Sequence, residues 1–64
     1  MQAGKLIRAW RIRKGLRQVD AAEQLGVNQG ILSRWENGTH TPHTRSILRI
    51  AEVTRIPVAK LLAD

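Results

Sequence analysis

Between Ala3 and Lys14 the apolar residues Ala3, Leu6, Ile7 and Trp10 recur at helical spacing, and Arg8 and Arg13 fall well off that stripe. This predicts an amphipathic helix. Gly15 is placed to stop it, because glycine closes a helix in the left-handed conformation without steric cost. A second helix is expected from near Gln18, with Ala21, Ala22 and Leu25 inward and Gly26 as its stop. Asn28 has the side chain to accept hydrogen bonds from the free amides of a third helix. That helix runs from Gln29 to about Asn37, with Leu32 and Trp35 on its apolar side and Gly38 after it. The polar stretch Asn37 to His43, which contains Pro42, reads as a surface loop. From Thr44 to Thr54, Ile47, Leu48, Ile50, Ala51 and Val53 again recur at helical spacing and leave Arg45, Arg49 and Glu52 for water. Pro57 suits the first turn of a last short helix with Val58, Leu61 and Leu62 as its stripe.

The pattern therefore predicts an all-α fold, a compact bundle of five short helices, and no alternating β-branched run argues for strands. A chain of 64 residues makes one domain, residues 1–64. Folding at that size buries only about 60% of the surface the unfolded chain exposes. With no cysteine to form a disulfide or a thiolate metal site, helix packing must supply the stability. The apolar groups are cut by Arg or Lys, so none reaches the run of about 18 that a membrane span needs. The N-terminus also lacks the unbroken apolar centre of a secretion signal. A soluble, cytoplasmic protein is expected.

Charge narrows the choice of partner. Lys and Arg number 11 against 5 acidic residues, a formal net charge of +6. Lys5, Arg8, Arg11, Arg13, Lys14 and Arg17 all precede the first acid, Asp20. The resulting positive potential favours a polyanion, and nucleic acid is the leading candidate, although a cationic helix lying on a membrane surface has a similar composition.

The stretch Gln18 to Gly38 is the most informative. Two helices joined by a short glycine-containing turn must approach closely, which suits small Ala22 four residues before Gly26. Val27, Leu32 and Trp35 would then hold the second helix at a fixed angle. Its first turn carries free amides and a favourable dipole end, and Gln29, Ser33 and Arg34 present hydrogen-bonding groups without carboxylates. Glutamine pairs bidentately with adenine and arginine with guanine, so those two bases are the expected targets.

The run Gly15-Leu16-x-Gln18, Ala22, Leu25-Gly26-Val27, Ser33-Arg34-Trp35-Glu36-Asn37-Gly38 and Pro42 resembles the lambda-repressor and Cro-like helix-turn-helix family over nearly the whole chain. The resemblance implies a five-helix fold with helices two and three as the DNA-reading unit and the third in the major groove. It implies base contacts from Gln29, Gly30, Ser33 and Arg34, with Gln18 bonding a phosphate and bracing Gln29. Phosphate contacts are expected from Arg17, Gln18, Asn28, Asn37, Gly38, Thr39 and Arg45. It also implies that Arg11 is structural, paired with Glu36 across helices one and three. Arg17, Gly30 and Thr44 depart from the family's common residues at their positions, Arg17 replacing a frequent capping serine.

Other constellations carry less. His40 and His43 are three apart but lie in the predicted loop with no third ligand near in sequence, so neither a metal nor a cofactor is expected. Ser33 and Ser46 lack a suitably placed histidine and acid, which argues against an enzyme. Trp10 and Trp35 are assigned to the core in preference to base stacking. Ile12 points off the stripe of the first helix and would be free to meet another subunit or domain.

Two functions follow. One is a sequence-specific double-stranded DNA-binding regulator, in this family most often a repressor. The other is a module that holds a partner protein, as antitoxin-type relatives do while binding their own operator, with Ile12 and the C-terminal stripe as the docking surface. For the regulator, paired half-sites about 34 Å apart imply two copies per palindromic operator. Since part of Ile56 to Asp64 must cap the core, the expected homodimer is weak and forms mainly on DNA.

Overall fold

The computed structural model describes all residues from Met1 to Asp64. Five helices follow in order: α1 (Ala3–Arg13), α2 (Gln18–Leu25), α3 (Gln29–Glu36), α4 (Thr44–Thr54) and α5 (Val58–Leu62). The chain is all-α, as the apolar pattern requires. Lys14 and Asn37 fall just outside the helices that the pattern extended to them, and Pro57 precedes α5 as its cap residue.

The first two turns use one device. Leu16 N–H donates to the Arg11 carbonyl at 3.0 Å and Gly15 N–H to that of Ile12 at 3.0 Å, while Val27 donates to Ala22 at 3.0 Å and Gly26 to Glu23 at 3.2 Å. This paired pattern satisfies the last carbonyls of a helix when the next residue is left-handed. Gly15 and Gly26 supply that residue, with φ of 70° and 74°. The third helix begins differently, on Asn28, whose side-chain oxygen accepts the Ile31 amide at 2.8 Å. No glycine follows α4, so Arg55 takes the left-handed position itself, with φ of 66°. Thr54 steadies that end: its hydroxyl donates to the Ile50 carbonyl at 2.7 Å and accepts from Ile56 N–H at 3.2 Å.

The core draws on every helix: Ala3, Ile7 and Trp10 from α1, Ala21, Ala22 and Leu25 from α2, Leu32 and Trp35 from α3, Ile47 and Ile50 from α4, and Leu61 from α5. Both tryptophans are buried. Leu48 and Leu62, placed by the pattern on apolar stripes, instead stand 58% and 49% exposed. Each has an apolar neighbour one residue before it, Ile47 and Leu61, and a helix turns by about 100° per residue, so with the first of each pair at the centre of the buried face the second lies at or beyond its edge. The helix-turn-helix pair α2 and α3 packs on α1 from the α3 side and on α4 from the α2 side, while α5 joins α1 to α4.

One contact is made by backbone alone. At Gly4 an added Cβ would stand 1.9 Å from the Trp35 carbonyl oxygen, so α1 lies directly on the last turn of α3 with no side chain between them. The chain ends also meet: Gln2 N–H donates to the Ala63 carbonyl at 3.0 Å, and the Gln2 side chain to that of Asp64 at 3.0 Å.

Candidate nucleic-acid interface

The site is held from beneath by one arginine. Arg11 donates through Nε to Glu36 Oε2 at 2.8 Å, through Nη2 to Glu36 Oε1 at 3.0 Å, and through Nη1 to the Leu16 carbonyl at 3.0 Å. A single guanidinium thereby ties α1, the turn before α2, and the end of α3. The side chains are withdrawn from water, 15% exposed for Arg11 and 4% for Glu36. The hydrogen bond to Glu36 raises the Arg11 pKa above its ordinary value, burial opposes this, and the Glu36 charge adds to the rise.

The same carboxylate carries the network outward. Glu36 Oε1 also accepts from Gln18 Nε2 at 3.1 Å, and Gln18 Oε1 accepts from Gln29 Nε2 at 3.4 Å. Gln18 thus stands between the ion pair and the first residue of α3. Each of these amide nitrogens carries two hydrogens, so Gln18 and Gln29 each keep one for a further partner.

On α3 itself, Gln29, Gly30 and Arg34 are exposed and Ser33 is half-buried. Their spacing places all four along one side of the helix. Arg34 belongs to neither ion pair of the chain. Gly30 leaves the backbone bare there, yet the space is open: a Cβ would approach only Asn28 Oδ1, at 3.4 Å. At the other end of the helix, Asn37 Oδ1 accepts from Thr39 N–H at 3.0 Å and from the Thr39 hydroxyl, which fixes the turn through Gly38 and leaves the Asn37 amide hydrogens unspent.

Three of the residues expected at phosphates are placed differently from this cluster. The guanidinium of Arg17 turns to its own helix, with Nε 2.8 Å and Nη2 3.1 Å from the carboxylate of Asp20, which also accepts the Arg17 amide at 3.3 Å. Asp20 so satisfies the amide of Arg17 itself, while Arg17, having no acceptor, caps none of the first amides of α2. Asn28 commits its oxygen to Ile31 and has only its N–H₂ to offer. Arg45 stands apart, beside a separate polar depression with His43, Thr44 and Ser46.

The structure adds residues that the pattern did not bring into the site. A cleft of about 240 Å³ separates α3 from the loop that follows it, and His40 and His43 line it together with Arg34 and Trp35. No three His, Cys, Asp or Glu side chains gather as a metal-holding group. On the α1 side, Arg8 faces a smaller notch beside Gln18, Ser33 and Asn37. The signal for Arg8 in the sequence was its charge, in the basic run before Asp20 and off the apolar stripe of α1.

The profile of the helix-turn-helix family matches residues 7–61. The chain belongs to that family. Helix-turn-helix domains place their second helix in the major groove of DNA while the first crosses the backbone. The chain is 29% identical over 58 residues to the cryptic phage CTXphi transcriptional repressor RstR of Vibrio cholerae, covering 91% of this chain and 52% of that protein. It is 42% identical over 48 residues to the ImmF control region 10 kDa protein of Bacillus phage phi105, covering 75% and 53% respectively. The chain thus spans about half the length of these relatives. No solved structure matches it significantly. No helix is long and apolar enough to cross a membrane.

Proposed function

We propose that this chain is the DNA-reading domain of a transcription repressor, which seats α3 in the major groove of a duplex operator. The observation that carries the reading is the network Arg11–Glu36–Gln18–Gln29, which holds Gln18 in place and braces Gln29, at 3.4 Å, over the same scaffold. Preorganisation of this kind avoids ordering those side chains at the moment of binding. Gln29 and Arg34 read bases, with Gly30 and Ser33 alongside, while Gln18 and Asn37 hold the DNA backbone; the Gly38 amide and both Thr39 donors already bond within the chain, to Trp35 and Asn37, and reach phosphate only by sharing those hydrogens. Arg17 and Asn28 reach phosphate only with the groups left over from their internal bonds, and Arg45 meets the duplex at a separate point. A net charge of +6 supplies the long-range attraction. One of the matched relatives is a transcriptional repressor.

Two copies are proposed per operator. Of the C-terminal stripe, Leu61 is fully buried and Val58 half-buried, which leaves little beyond Leu62 for a second copy. That area falls short of the roughly 1,200 Å² of a stable interface, so pairing depends on DNA.

Selection of bound sequences from a random duplex library gives the preferred site, and Gln29→Ala and Arg34→Ala are then compared on it and on scrambled DNA. Each variant should lose about 1–3 kcal/mol on the preferred site alone. Equal losses on both duplexes would reduce the two residues to backbone contacts. Sedimentation with and without a palindromic duplex tests the pairing, and a tight free dimer or one copy per palindrome contradicts it.

A further inference from the structure

Arg8 lies on α1, outside the helix-turn-helix pair, yet it opens onto that pair. An open notch of about 170 Å³ is lined by Arg8, Arg11, Gln18, Ser33, Glu36 and Asn37, with no apolar side chain among them. Its one acid, Glu36, is 4% exposed and already accepts two bonds from Arg11 and one from Gln18. The groups that remain unspent are the second Gln18 amide hydrogen, the Asn37 amide hydrogens, the Arg8 guanidinium and the Ser33 hydroxyl, each of them able to donate. Arg8 is exposed and belongs to neither ion pair of the chain. One turn earlier on the same helix, Lys5 borders a second depression, which Asn37 and Gly38 also line. The two cations of α1 therefore each share a depression with Asn37.

A notch whose free groups can all donate and whose acid is neutralised suits an oxyanion. The oxyanion in reach of Gln18 and Asn37 is a phosphate of the duplex. Resting on the DNA-reading proposal above, we propose that Arg8 and Lys5 form a phosphate-binding ridge that carries the backbone contact beyond the helix-turn-helix pair onto α1. Arg8 binds by charge and by its planar fork of donors, a geometry that matches phosphate. The contact carries no sequence information, because a phosphate is the same at every base pair.

The test measures affinity against salt for the wild-type chain, Arg8→Gln, Arg8→Lys and Arg13→Gln, on the preferred and a scrambled duplex. Arg13 does not line the notch and serves as the control for net charge alone. Loss of one phosphate contact lowers the slope of log K against log salt by about 0.9. Arg8→Gln should show that drop equally on both duplexes with an unchanged Tm, Arg8→Lys should retain most of the slope, and Arg13→Gln should change it less. An unchanged slope for Arg8→Gln in a chain that binds DNA overturns the ridge alone, as does an equal drop for Arg13→Gln. A wild-type chain that binds no duplex overturns the DNA reading and the ridge together.

Discussion

Arg11→Ala removes three hydrogen bonds at once and leaves the Glu36 carboxylate, 4% exposed, with the Gln18 amide as its remaining partner. Stranding one member of a buried ion pair costs about 3–5 kcal/mol. Arg11 keeps 15% of its side chain in water, which sets the expectation near the lower end, at about 3 kcal/mol. Stability of about 0.05–0.15 kcal/mol per residue gives a domain of this length roughly 3–10 kcal/mol in all. The variant should therefore lose between a third and all of its stability. Urea denaturation followed by helical circular dichroism measures this directly. The double variant Arg11→Met with Glu36→Leu gives the second half of the argument, since an apolar pair of similar volume strands no charge and should be more stable than Arg11→Ala alone. An Arg11→Ala protein with an unchanged urea midpoint and weaker DNA binding would refute the reasoning and assign Arg11 to the basic surface.

Gly4→Ala places a Cβ 1.9 Å from the Trp35 carbonyl oxygen, so α1 and α3 must separate by about 1 Å. The fold should lose about 3 kcal/mol, the upper part of the usual overpacking range because the obstacle is backbone; a Tm equal to the wild type's contradicts this. Arg55→Gly relieves a left-handed φ of 66° and should gain about 0.5–1 kcal/mol after glycine's own entropic cost, seen as a Tm higher by roughly 4 °C. A fall in Tm would show that the position carries no strain. The hydrogen bond from Arg17 holds the Asp20 carboxyl below its ordinary value of 3.8, burial opposes it, and the Arg17 charge adds to the lowering. A lowered folded pKa stabilises above the unfolded value and ceases to do so as pH falls below 3.8, so Asp20→Asn should flatten the acid limb of Tm against pH, and an unaltered limb counts against the pair.

Helix number and order were legible because each helix carries its own apolar period and its own punctuation. Gly15, Gly26 and Asn28 announce their roles through local backbone chemistry, which needs no knowledge of the rest of the fold. The exposure of Leu48 and Leu62 was not legible, since each adjoins another apolar residue and only the packed neighbours decide which one turns inward. Arg17 illustrates a local signal passed over: Asp20 stands three residues on, at capping distance, and competes with any phosphate for the same guanidinium. The close approach at Gly4 has no local signal at all. Its need for a bare backbone arises from Trp35, which is remote in sequence, and an isolated glycine in a helical run reads only as a weak position. Arg8 was visible as charge but not as a site, because the notch it faces exists only once three helices meet.

The Gly4 contact also separates two properties that core mutations usually alter together. Where side chains mediate a helix crossing, a changed residue is absorbed by rotamer shifts and neighbouring gaps, and the angle between the helices drifts with it. Peptide against peptide has no rotamers to rearrange. The approach of α1 to α3 therefore has a hard stop at this point, and conservative exchanges at Ile7, Leu32 or Ile50 can change how firmly the bundle holds without bringing the two helices closer. A lineage of such domains can thus exchange interior residues of similar volume while α3 keeps its closest approach to α1, provided residue 4 remains glycine.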